Sequence, residues 1–167
     1  MKKIHLLRHA KSSWENTLLD DIHRPLNQRG IRSCELMASP IVDTGCEFIN
    51  VFSSPAVRAQ SSIELLASNI PEISFNWQTD ERLYCFDSAD LHLWCAALDE
   101  SISEVMIIGH NPALTDFCNE LSHANINNIP TCGYAQLTAQ KEFNWQQVSD
   151  ASFELTHFLR PKELIRG

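Results

Sequence analysis

The chain has 167 residues, 44% apolar and 20% charged, which suits an ordinary globular protein with a proper core. Its formal net charge of −8 argues against general nucleic-acid or membrane-surface binding, because neither polyanion would be attracted. No stretch approaches the ~20 apolar residues of a membrane span.

Residues 4–7 are an apolar run and predict a buried strand. The run stops abruptly at Arg8-His9. Such groups are costly to desolvate at a strand end, so they need partners or a task. Residues 10–28 are polar and predict a long loop, which Arg24 and Arg29 are expected to brace through Asp20 or Asp21 or, alternatively, to flank as the rim of a site at the strand end. Asn27 is a plausible helix N-cap, and a helix follows from Gln28 to Ser39, with Pro40 ending or kinking it. Gly45 marks a turn, and Phe48 to Ser53 predicts a second strand. Ser54-Pro55 has the form of an N-cap and first helical residue, opening a helix to about Ser68.

Ile73 to Trp77 predicts a short strand, residues 79–88 a loop, and Ala89 to Asp99 a helix. Val105 to Ile108 is the clearest strand, apolar throughout, as in a parallel sheet covered on both faces. It stops at Gly109-His110-Asn111-Pro112, and a helix follows from Ala113 to about Ser122. After a loop over 123–132, Tyr134 to Thr138, Asn144 to Val148 and Phe153 to Leu159 predict antiparallel closing strands. The alternation predicts a three-layer α/β/α sandwich around a mainly parallel sheet. With no repeat, low-complexity tract or linker, residues 1–167 are expected to form one domain.

The six cysteines contain no Cys-x-x-Cys pair, and the apolar run after Lys2-Lys3 is too short for a secretory signal. Reduced, buried thiols in a cytoplasm are the expectation.

Three strand ends carry related chemistry: Arg8-His9, Ser53-Ser54-Pro55 with Arg58 one turn on, and Gly109-His110. If these strands are parallel neighbours, two arginines and two histidines form a cationic cup at one sheet edge. Arginine's planar fork suits phosphate oxygens, and helix N-termini favour anions. His9 is the candidate nucleophile, since a neutral imidazole can attack phosphorus and carry the group. His110 would polarise the phosphoryl oxygens. Neither metal nor cofactor is expected, because no Walker loop, dinucleotide fingerprint or Asp-rich cation site is present.

Leu7-Arg8-His9-Ala10, Arg58 after Ser-Ser-Pro, and Gly109-His110-Asn111-Pro112 together resemble the histidine phosphatase (phosphoglycerate-mutase-like) superfamily. Within it, the Lys11-Ser12-Ser13-Trp14 and Asp21-to-Gly30 segments resemble the small phosphohistidine phosphatase branch typified by SixA. The resemblance implies that His9 takes the phosphoryl group, that water then hydrolyses it, and that Arg8, Arg58 and His110 hold the phosphate. Ser12 or Ser13 would add a further phosphate contact.

A general acid is less evident. Glu81 is the first candidate and Asp87 the second, neither in a convincing version of the family motif. An imidazole leaving group needs an enzymic acid less than an alkoxide does. The leading expectation is therefore a monomeric, cytoplasmic phosphatase acting on a protein phosphohistidine, on a phosphotransfer domain or phosphocarrier. The alternative is a small-molecule phosphomonoesterase using Glu81.

Overall fold

The apolar run after Lys3 forms a central strand in the computed structural model, which describes residues 1–164; residues 165–167, the end of the expected domain, lie outside the described residues. The elements are β1 (Lys3–Arg8), α1 (Gln28–Asp43), β2 (Val51–Ser53), α2 (Val57–Ser68), β3 (Trp77–Thr79) and α3 (Ser88–Ala96). Then come β4 (Glu104–Gly109), α4 (Ala113–Ser122), β5 (Tyr134–Ala139), β6 (Phe153–Leu159) and a short α5 (Pro161–Leu164). The six strands form one sheet in the order β3-β2-β4-β1-β5-β6. β3, β2, β4 and β1 are parallel, and β5 and β6 close the edge antiparallel. The expected α/β sandwich with a mainly parallel sheet is what forms.

Strand alternation divides the core in two. Ile4, Leu6, Val105 and Ile107 face α3 and α4, packing on Leu91, Trp94, Leu114 and Phe117. Leu7, Met106 and Ile108 face α1 and α2, packing on Met37, Ile41, Ile63 and Leu66. Because both faces are covered, the interior positions of β1 and β4, Ile4 to Leu7 and Val105 to Ile108, are nearly all apolar. His5 is the exception: its ring nitrogens lie 2.5 Å from both Glu104 Oε1 and the Tyr134 hydroxyl, so this buried imidazole is fully partnered.

Several local expectations needed correction. Pro40 does not end α1, which runs through it to Asp43. The predicted strand over 48–53 is shortened to Val51–Ser53, because Phe48 and Asn50 take positive φ values of 55° and 50°. The strand expected over 73–77 lies instead at Trp77–Thr79. The strand expected over 144–148 is a 3₁₀ segment, Trp145–Asp150. There Trp145 and Val148 are both buried, a spacing of three that a strand cannot place on one face. The Trp145 indole donates to the Ile102 carbonyl at 2.8 Å, and its backbone N–H donates to Glu100.

Helix α1 is fastened directly to the loop after β1. Asn27 caps it, accepting from the Gly30 N–H at 2.9 Å, and the Asn27 N–H donates to the Lys11 carbonyl at 3.0 Å. A Cβ at Gly30 would collide with that same Lys11 carbonyl oxygen. Gly30→Ala should therefore cost about 1–3 kcal/mol of stability by overpacking. A lowered urea midpoint, with a raised KM because Lys11 and Ser12 line the site, is the expected readout. An unchanged midpoint would contradict this packing.

Candidate active site

Register brings the three chemical strand ends together. Arg8 is level with Gly109 across β1–β4, and Ser53 is level with Ile108 across β2–β4. The residues following each strand therefore meet at one sheet edge, where α/β folds place ligands. They line a cup of about 310 Å³ containing Arg8, His9, Arg58 and His110.

The backbone of Arg8 and His9 is gripped from both sides. The His9 N–H donates to the Gly109 carbonyl at 3.2 Å, and the Cys132 N–H donates to the carbonyls of Arg8 and His9. The His9 ring is oriented by its own neighbour: Nδ1 lies 2.8 Å from the Ala10 carbonyl, so that nitrogen carries the proton. Nε2 then presents a lone pair, which accepts from Arg58 Nε at 3.3 Å. Burial lowers the His9 pKa to about 4, with the charges of Arg58, Arg8 and Arg24 acting in the same direction. The imidazole is thus neutral near pH 7, as a nucleophile must be.

Arg58 is 2% exposed and connects the cup. Besides His9 it donates to the Asp21 carbonyl at 2.6 Å, to Asp21 Oδ2 at 2.9 Å and to His110 Nδ1 at 3.4 Å. His110 Nε2 donates to Ser54 Oγ at 2.8 Å. Ser54 therefore does not cap α2 from the position expected of it. That helix begins at Val57, and the Ser54 hydroxyl braces His110 and receives the Ala56 N–H. Burial lowers the His110 pKa to about 3, assisted by nearby His9 and Arg58. Arg8 donates to the Ile129 carbonyl at 3.1 Å, while its buried Nε–H has no acceptor among the described residues. A buried unpaired donor costs roughly 1–3 kcal/mol, which an oxygen ligand would relieve.

Of the two candidate serines, the structure brings only Ser12 to the cup, where its hydroxyl accepts from Arg24 at 2.6 Å. Ser13 faces its own loop and accepts from the Glu15 N–H. Glu81 and Asp87 do not line the cup either; both line a groove beside it.

Asp21, Lys11, Asn111 and Thr131 line the cup without having been singled out for it, and Arg24, expected either to brace the loop or to line the rim, lines it too. Arg24 does brace on Asp21, as expected, at 3.1 and 3.2 Å, and its guanidinium lies 3.6 Å under the Trp14 ring. Burial alone would raise the Asp21 pKa, but hydrogen bonds from Tyr84, Arg58 and Arg24 hold its carboxyl well below the usual range. The signal available in sequence was the position of Asp21 three residues before Arg24, read there only as bracing.

The depressed imidazoles have a measurable consequence. The acid limb of kcat/KM reports the free enzyme. For p-nitrophenyl phosphate, corrected for substrate ionisation, it should fall near pH 4 and not near 6.5. An acid limb at 6.5 would contradict a buried neutral His9. Folding stability moves the same way. Below pH 6.5 the unfolded histidines protonate first, so stability is lost as pH falls toward 4, at about 1.4 kcal/mol per unit per group.

A model of the histidine phosphatase superfamily, branch 1, matches residues 4–89, a span that includes Arg8, His9 and Arg58. An uncharacterised protein of Mycobacterium leprae is 26% identical over 93% of this chain and 100% of its own. A structure assigned to the phosphohistidine phosphatase SixA of Agrobacterium tumefaciens superposes with a TM-score of 0.77 at 25% identity, covering 96% and 98% of the two chains. The protein histidine phosphatase SixA complexed with tungstate matches in fold at TM-score 0.77 and 21% identity, over 97% and 99%.

Proposed function

The chain belongs to the histidine phosphatase superfamily and is a hydrolase of the phosphatase class, and from that premise we propose that it removes phosphate from a phosphohistidine on a protein. One observation carries the choice of substrate. Asp21 is the only carboxylate among the described residues lining the cup, and it is held ionised by two arginines and a tyrosine. An alkoxide leaving group would find no carboxylic acid there to protonate it. An imidazole leaving group departs as a neutral ring once its distal nitrogen is protonated, and needs none. Likeness to SixA structures supports the same reading.

The mechanism follows from the ring orientation. His9 Nε2 attacks phosphorus, the P–N bond to the substrate imidazole breaks, and that electron pair returns to the departing ring. Arg8, Arg58 and His110 stabilise the charge on the equatorial oxygens. A phosphate dianion beside His110 favours its protonation, so that Nδ1, which accepts from Arg58 in the free site, would donate to a phosphoryl oxygen when substrate is present. Water then attacks the phosphorus, the P–N bond to His9 breaks with its electron pair returning to Nε2, and the water's protons leave on the released phosphate. Arg8, His9, Arg58 and His110 all come from one chain, which supports a monomer as the working unit. The six cysteines are all buried and unpaired, which suits a reducing compartment such as the cytoplasm.

The test is a rate comparison. Phosphorylated phosphotransfer domains and phosphocarrier proteins should be hydrolysed with far higher kcat/KM than alkyl phosphates, and Glu81→Gln should leave the rate on alkyl phosphates unchanged. Faster turnover of alkyl phosphates, with a large loss in Glu81→Gln, would establish the phosphomonoesterase alternative.

A further inference from the structure

Single exposed apolar residues are ordinary on a protein surface, but clustered ones mark contact sites. Among the described residues the exposed large hydrophobics are Met1, Trp14, Leu18, Leu19, Ile49, Phe86 and Leu93. All but Met1 and Ile49 lie on the loop through Trp14 or on the segment from Phe86 to Leu93. Those are the two segments that supply the aromatic walls of the cup, Trp14 at 68% exposure and Phe86 at 42%.

Phe86 is shared. Beyond it a second groove, of about 600 Å³, continues along α3 to Leu93, which is 70% exposed. This groove has a character opposite to that of the cup. Glu81, Asp87 and Asp90 line it, and its one arginine, Arg82, is paired with Asp80 at 2.7 Å. Asp90 and Leu93 lie three residues apart on α3, on one face of the helix. A surface that is both apolar and anionic repels a second phosphate and offers little to a small phosphorylated metabolite. It complements an aliphatic side chain next to a cation.

We propose that the groove from Phe86 to Leu93 is the docking surface for the phosphoprotein substrate, and that it receives an aliphatic residue with a lysine or arginine from the substrate surface flanking the phosphohistidine. This rests on the reading of the cup as a protein phosphohistidine phosphatase site. The cationic cup takes the phosphoryl group while the anionic groove takes the cation beside it. The paired signs fix the substrate's orientation and reject surfaces carrying acidic residues near the phosphohistidine.

The experiment uses the full chain and two substrates: a phosphorylated phosphotransfer domain, and free phosphohistidine, which fills the cup without reaching the groove. Leu93→Glu and Asp90→Lys should each lower kcat/KM on the phosphoprotein by about tenfold or more, through KM. The Asp90→Lys loss should shrink at high salt. Turnover of free phosphohistidine should stay within about twofold, which also certifies that the variants are folded, since both side chains are exposed and Asp90 makes no structural bond that the groove needs. Normal phosphoprotein turnover in both variants overturns the docking assignment alone. A parallel loss on both substrates also overturns it, because the residues would then act on the cup. A wild-type enzyme that prefers alkyl phosphates to both phosphohistidine substrates overturns the function reading itself, and the docking assignment with it.

Discussion

His9→Ala should lose turnover of every phosphate substrate by a factor on the order of 10⁴ or more, the scale seen when a covalent nucleophile is removed. No neighbour can take over. The other imidazole in the cup, His110, has Nε2 engaged with Ser54 and Nδ1 facing Arg58. Asp21 is the one carboxylate there among the described residues, and it is committed to Arg58, Arg24 and Tyr84. Vanadate should still bind to the variant, since Arg8, Arg58 and His110 remain. Retained vanadate binding with lost turnover separates a missing nucleophile from a collapsed site. Wild-type-like turnover would remove His9 from the chemistry.

Arg58→Lys should cost about 10²–10³ in kcat/KM, despite keeping the charge. The guanidinium contacts His9, His110 and both the backbone and the carboxylate of Asp21 from one rigid plane. An ammonium has three donors on a flexible stem and cannot reproduce that set. Vanadate affinity should fall along with the rate, because the same fork that orders the free site holds the oxyanion. A loss confined to stability, with kcat/KM unchanged in the folded fraction, would make Arg58 a structural residue.

The meeting of Arg8, His9, Arg58 and His110 in one cup was legible in sequence because it depends on few things. The mostly apolar run of β1 and the unbroken one of β4 predict buried parallel strands, and parallel neighbours in register place Arg8, His9 and His110 side by side. Arg58 followed from its place one turn after a strand end. What failed depended on the path of irregular chain. Asp21 reaches the cup only because the loop after β1 folds back, with the Ser13 N–H donating to the Pro25 carbonyl at 2.8 Å. Nothing in the spacing of Asp21 from Arg58 announces the ion pair between them. Ser54 had the form of a helix cap, yet its hydroxyl is drawn to His110, a partner 56 positions away. The strand expected over 144–148 failed on periodicity: Trp145 and Val148 share a buried face at a spacing of three, and tertiary hydrogen bonds hold Trp145 there. Glu81 was chosen for chemical type alone, and the 3₁₀ turn Glu81–Leu83 carries it to the adjoining groove.

The central claim is that a phosphoryl group passes from a protein histidine to His9. Rapid mixing with a ³²P-phosphohistidine protein, base quenching and peptide mapping test it directly. The label should appear on the peptide containing His9 within one turnover, decay with release of inorganic phosphate, and be acid-labile. Phosphate release from the phosphoprotein at the same rate with no label on that peptide, or with label on another residue, would contradict the account.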